Sequence, residues 1–99
     1  EWRDTMDNEK VIGDMYLAAA FLAYDIPLVR IDRTESRRQR FIFSGGPRRV
    51  YIQEDGVVML FENPTLEDIE TKFISKVLMF PPAYPDSIRR IKAAIHAEG

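Results

Sequence analysis

Cysteine is absent from the 99 residues of this chain, which excludes disulfides, thiolate metal ligands and cysteine nucleophiles. Histidine is nearly absent: His96 is the single histidine, and it lies close to the end of the sequence. One imidazole without any thiolate cannot build the usual zinc site, and it is poorly placed for a Ser-His-Asp arrangement. The triplet Glu70-Thr71-Lys72 has a nuclease-like spacing, but we expect it on a helix, where residues two apart point in different directions. We therefore predict no enzymatic activity, no metal site and no cofactor.

Long apolar runs are also missing. The longest apolar stretch, from Met15 to Tyr24, is far shorter than the roughly 18 residues that a membrane helix needs. We expect no membrane association, and the lack of cysteine is typical of a reducing cytoplasm. The length suits a single domain over residues 1–99, with residues 1–6 as a loose lead-in.

The periodicity of apolar residues predicts an α+β fold. A first helix is expected from about Asn8 to Tyr24, capped by Asp7 and stopped by Pro27. Alternating segments then predict four strands: Leu28–Arg33, Arg38–Ser44, Arg49–Gln53 and Val57–Phe61. The inward residues of the first two strands are expected to be Val29, Ile31, Phe41 and Phe43.

Short connections between these segments predict an antiparallel meander. Asp55-Gly56 is the strongest turn signal, because both residues tolerate the positive φ of a type I′ turn. A second helix begins near Asn63-Pro64-Thr65, capped either by Asn63 or by Thr65 with Asp68. A third begins at Pro85 or Asp86. The predicted order is α-β-β-β-β-α-α, with the helices packed on one face of the sheet.

The net charge of −2 conceals a strong segregation of charge along the chain. Residues 26–53 carry seven arginines against two acids, whereas residues 54–71 carry six acids and no base. Arginine suits phosphate recognition, because its planar guanidinium can hold two oxygens at once. The same block is also compatible with a solvated sheet face whose charges are balanced by the acids, or with an acidic protein partner.

Nine cations are the candidate binding residues. Two of them, Arg89 and Lys92, are expected on the third helix. They extend the arginine surface if that helix ends beside the strands, and otherwise they form an ordinary exposed helix face. The candidates are Arg30, Arg33, Arg37, Arg38, Arg40, Arg48, Arg49, Arg89 and Lys92.

Several hydrophobic patterns together resemble a known family. The apolar helix from Met15 to Tyr24 leads directly into the strand Ile26–Ile31, followed by Arg40–Phe43, a helix containing Phe73 and a last helix over Ile88–Ile95. Over most of residues 14–95 this is similar to a small domain-of-unknown-function family found in phages, bacteria and archaea. Two features depart from the family: Asp25 stands where members usually have glycine, and the hairpin over residues 48–61 is longer. The resemblance implies a fold and a mobile-element context, without a mechanism.

These observations favour a small non-enzymatic binding module of phage or mobile-element type. The first hypothesis is association with nucleic acid, in which the arginine-rich hairpin contacts the phosphate backbone without base specificity. The second is an interaction or inhibitor protein that docks on a host or phage protein. The third is a homo-oligomeric structural component that uses Tyr51, Val58 and Leu60 as an exposed apolar patch.

Overall fold

The computed structural model describes residues 9–35, 38–45 and 49–96, in which strands and helices follow the order β-α-β-β-β-β-α-α. The α+β class and the antiparallel pairing are thus confirmed. The elements are β1 Glu9–Ile12, α1 Met15–Ala23, β2 Leu28–Glu35, β3 Arg38–Ser44, β4 Arg49–Glu54, β5 Val57–Glu62, α2 Leu66–Ile74 and α3 Tyr84–His96. In this part of the chain no helix is both long and apolar enough to cross a membrane.

The first helix begins later than the apolar periodicity predicts. Asp14 caps it, because its carboxylate accepts from the amide of Tyr16 at 2.8 Å and from that of Leu17 at 3.4 Å. The residues before Gly13 form β1 instead, where the β-branched Val11 and Ile12 favour an extended backbone. The prediction that residues 9–14 belong to the first helix is therefore wrong, and the predicted start at Asn8 and cap at Asp7 lie outside the described residues.

Two sheets form instead of one continuous meander. β3 is the central strand of a three-stranded sheet of order β1-β3-β2, so β1 occupies the edge that a meander would give to β4. β4 and β5 form a separate hairpin. The other edge of β4 pairs with the segment after α2, where Gln53 donates to the Val77 carbonyl at 2.8 Å and Met79 donates to the Tyr51 carbonyl at 2.9 Å.

A β-bulge in β2 changes which of its residues face the core. The register passes from Leu28 opposite Phe43 to Arg30 opposite Ile42, so Val29 is the extra residue. Leu28 and Ile31 consequently pack on the core, whereas Val29 is 46% exposed. The prediction that Val29 faces inward is wrong, while the predicted burial of Phe41 and Phe43 is confirmed.

Helix α1 lies at the centre of the core. Its three consecutive alanines, Ala18, Ala19 and Ala20, are fully buried and allow α3 to approach closely. On the sheet side, the ring of Phe21 meets that of Phe43 edge-on, with 5.0 Å between their centroids. The helix layer therefore lies on the Phe43 side of the three-stranded sheet.

Local signals for the remaining elements are accurate. The hairpin turn has Asp55 at φ 53° and Gly56 at φ 79°, as a type I′ turn requires. Of the two caps considered for α2, the structure has the capping box: Thr65 accepts from the Asp68 amide, and the Asp68 carboxylate accepts from the Thr65 amide, both at 3.0 Å. Lys10 connects α2 to β1 through Glu67 at 2.5 Å and Glu70 at 2.7 Å.

Candidate functional site

Two of the predicted arginines share the face of the three-stranded sheet that points away from the helices, where Ile42 between them is buried. In β3 the side chains of Phe41 and Phe43 point to the helices, so Arg40 and Ile42 point to the opposite face. Arg30 lies opposite Ile42 in the register and joins Arg40 on that face, where both are exposed. Asp32 lies directly opposite Arg40, so the positive potential of this face is partly offset.

Arg33 has a different position from its neighbours. It follows Ile31 by two residues, so its side chain points to the helix layer, where Nη2 donates to the Ala94 carbonyl oxygen at 2.5 Å. This carbonyl belongs to the last turn of α3, whose carbonyl groups lack partners within the helix. The bond connects β2 to the end of α3.

Three of the other predicted cations, Arg49, Arg89 and Lys92, do not lie on the face of Arg30 and Arg40. Arg49 begins β4 in the separate hairpin, opposite Glu62. Arg89 and Lys92 are exposed on α3, on the helix side of the sheet, and Arg89 lies 3.4 Å from the Asp86 carboxylate. Arg37 and Arg48 lie outside the described residues, and Arg38 is described as the first residue of β3.

A continuous apolar surface lies instead on the β4–β5 hairpin. Val50 and Ile52 point to the core, so the opposite face carries Tyr51, Val58 and Leu60, which we call the hairpin surface. These three side chains are 44%, 53% and 43% exposed. Tyr51 and Leu60 are directly paired across the two strands. The members are those of the apolar patch expected from alternation in the sequence.

A cavity of about 740 Å³ adjoins the hairpin surface. Its lining includes Tyr51 and Val58 of the hairpin and the consecutive residues Met79, Phe80, Pro81 and Pro82. Its polar groups come from Tyr24 and Asp25 after α1 and from Arg49. The volume is within the range of pockets that hold small ligands or protruding side chains.

The Tyr24 hydroxyl organises one end of this cavity. It donates to the Met79 carbonyl oxygen at 2.5 Å and accepts from the Tyr51 amide at 3.3 Å, so it connects the end of α1 to β4 and to the segment paired with β4. Burial raises the pKa of Tyr24 above its ordinary value, because the phenolate would lose hydration there. The hydroxyl therefore stays protonated and keeps its donor at neutral pH.

Tyr24, Met79 and Phe80 are among the members of this site that the sequence analysis missed. They come from segments about 55 positions apart, as the Tyr24–Met79 bond shows. The one local signal is an aromatic residue, Phe80, directly before Pro81-Pro82. The pairing of β4 with residues 77–79 is a tertiary event that periodicity cannot reveal.

Residues with catalytic potential are dispersed. His96 is exposed at the last residue of α3. Glu70 and Lys72 lie on α2, as expected, with Glu70 paired to Lys10 and the Lys72 ammonium 5.8 Å from the Phe61 ring centroid. In the described ranges no three His, Cys, Asp or Glu residues come together in a way that could hold a metal ion.

Comparison of the chain with protein-family models, with curated proteins and with solved structures finds no match.

Proposed function

We propose that this chain is a non-enzymatic binding module that docks on a protein partner through the hairpin surface. The observation that carries the proposal is the exposure of three apolar residues that share one face of the β4–β5 hairpin. Tyr51, Val58 and Leu60 are 44%, 53% and 43% exposed. Isolated exposed apolar residues are common, whereas contiguous patches are characteristic of interaction sites.

The surroundings of the hairpin surface resemble the composition of a protein interface. The aromatic side chains of Tyr51 and Phe80 line the cavity together with the charged residues Arg49 and Asp25, a combination that is typical of interfaces. A partner side chain inserted into the cavity would be desolvated against Tyr51 and Phe80, the kind of contact that dominates binding energy.

Site-specific photocrosslinking in cells that naturally express the chain tests this proposal. A photoreactive phenylalanine at position 60 samples the hairpin surface, and the same residue at position 30 samples the exposed sheet face. The proposal expects one discrete protein adduct from position 60, absent from position 30 and lost on Tyr51→Ser. Adducts from position 30 alone, or none at physiological expression, would remove the hairpin surface as a docking site.

Nucleic acid binding through Arg30 and Arg40 is a second candidate function. Two exposed arginines on one sheet face support it. Cations can bind the phosphate backbone of a nucleic acid without being positioned to read its bases. Duplex and single-stranded probes titrated against salt test it. Binding that weakens steeply with salt and is lost in Arg30→Ala/Arg40→Ala would support this function, and no binding at low salt would remove it.

The biological setting forms part of the proposal. The resemblance of residues 14–95 to the small family described above implies a phage or mobile-element context, and the absence of cysteine is typical of a reducing cytoplasm. Self-association through the hairpin surface, as a homo-oligomeric structural component, is the third candidate function. Light scattering that gives a monomer at high concentration would exclude it.

A further inference from the structure

Among the described residues, the backbone of β5 presents a hydrogen-bonding edge that no other strand uses. In a hairpin closed by the two-residue turn Asp55-Gly56, the flanking residues Glu54 and Val57 form a hydrogen-bonded pair, and the pattern alternates from there. Met59 and Phe61 therefore also direct their amide and carbonyl groups to β4. Val58 and Leu60 direct theirs away from β4.

Hydrogen bonds at the other edge of β4 independently support this alternation of inward and outward backbone groups. Gln53 and Tyr51, the partners of Val58 and Leu60 in the register, use their outward backbone groups to bond Val77 and Met79. The equivalent groups of Val58 and Leu60 point to the opposite side. Within the described ranges, β5 has only β4 as a neighbouring strand.

This edge lacks the features that protect sheet edges from pairing. Residues 57–61 include no charge and no proline, and the register with β4 runs without a bulge. Proteins commonly protect such edges with lysine, proline or a bulge. By contrast, β2, an edge strand of the other sheet, contains register shifts and charged residues.

Charge at both ends of β5 selects among possible occupants. Glu54 and Asp55 lie at the turn and Glu62 lies at the other end, all exposed, and Arg49 of β4 lies opposite Glu62. A second copy paired antiparallel through β5 would bring its own acids beside these, which costs free energy. A segment with cations on both flanks would instead gain favourable contacts at both ends.

We propose that β5 accepts an extended segment of a partner protein as an added strand. The segment alternates apolar residues and carries lysine or arginine on both flanks. Its backbone pairs with the amide and carbonyl groups of Val58 and Leu60, in the manner of β-strand addition. This inference rests on the proposed function, since it names the mode of docking at the hairpin surface.

Fluorescence anisotropy with defined peptides and the full chain tests the mode. The probe is a labelled five-residue Val/Thr alternation with two lysines on each flank, and its matched control has glutamates instead. A second control carries N-methyl groups on the residues that bond to β5. We expect the lysine probe to bind at low salt, and both controls to bind at least about tenfold more weakly.

A proline variant of β5 separates strand addition from docking by side chains alone. Val58→Pro removes an outward amide hydrogen that the β4 ladder does not use, so the hairpin should persist. Its matched control, Val58→Thr, keeps that amide. We expect about fivefold to tenfold weaker binding for the proline variant and little change for the threonine variant. If Val58→Pro loses its native NMR dispersion, the N-methylated probe decides the question without any mutation.

The outcomes distinguish this inference from the proposed function. Equal binding of lysine and glutamate probes, equal binding by Val58→Pro, or no binding of any probe would overturn strand addition. If the protein crosslink at position 60 survives Val58→Pro, docking at the hairpin surface is supported but strand addition at β5 is excluded. A dimer in sedimentation that Val58→Pro dissociates would replace the basic partner by a second copy.

Discussion

Arg33 of β2 donates a hydrogen bond from Nη2 to the carbonyl oxygen of Ala94 in the last turn of α3. The bond crosses from the sheet to the helix layer. We expect Arg33→Leu to lower the free energy of unfolding by about 1.5–3 kcal/mol, because a charged donor is lost and a partly buried carbonyl is left without it. Chemical denaturation measures the change.

Arg30→Leu is the matched control, because Arg30 is exposed on the opposite face of the same strand. We expect it to change stability by less than about 0.5 kcal/mol. Equal effects of the two substitutions would show that the bond to Ala94 has no special structural role.

Tyr24→Phe should destabilise the chain by about 1 kcal/mol while leaving the packing of the ring unchanged. The hydroxyl donates to the Met79 carbonyl and accepts from the Tyr51 amide, so its loss leaves both groups without this partner. Thermal unfolding of the two proteins measures the difference. Tyr16→Phe, in an exposed position of α1, serves as control, and an effect as large as that of Tyr24→Phe would contradict the account.

Stability should fall as pH rises above about 10. Hydrogen bonds to Glu67 and Glu70 raise the pKa of Lys10 above its ordinary 10.5, and burial raises the pKa of Tyr24 above 10.0. Between the unfolded and folded pKa values the unfolded chain binds fewer protons, so stability decreases as pH increases. Both contributions are complete below the unfolded pKa values.

Denaturation between pH 8 and pH 11 checks this dependence. In Tyr24→Phe and in Lys10→Met the alkaline loss should be shallower than in the wild type, because one titrating group is removed in each. An alkaline slope unchanged in both variants would contradict the assignment of these groups.

Asp25→Gly should stabilise the chain by about 0.5–1 kcal/mol. Asp25 has φ 65°, in the left-handed region, where a side chain costs energy and glycine does not. Asp25→Ala keeps the steric cost and should not stabilise. A melting temperature that falls for the glycine variant would show that the Asp25 side chain outweighs the backbone strain.

The elements that sequence reasoning predicted well depend on neighbouring residues. The Asp55-Gly56 turn, the Thr65–Asp68 cap and the buried alternation of Phe41 and Phe43 each follow from short-range chemistry. The start of α1 was predictable in principle, since Gly13 followed by the capping residue Asp14 is itself a boundary signal. The apolar pair Val11 and Ile12 fits a helical spacing as well as a strand, and that coincidence concealed β1.

The features that escaped prediction depend on distant residues. β1 takes the edge of β3, which leaves β4 to pair with residues 77–79, and no local pattern encodes that competition. The bulge at Val29 turns its side chain to the opposite face of the sheet, and β2 contains no glycine or proline that would indicate a bulge. For the candidate site, alternation identified Tyr51, Val58 and Leu60, whereas the cavity beside them required Tyr24 and Phe80 to be brought together in space.

Amide hydrogen exchange of the free chain, followed by NMR, tests most directly whether the edge of β5 is open. The account predicts slow exchange for the amide of Met59, which bonds to β4, and fast exchange for the amides of Val58 and Leu60, which point away from it. Protection of Val58 and Leu60 as strong as that of Met59 in the free monomer would contradict an open edge and, with it, strand addition at this surface.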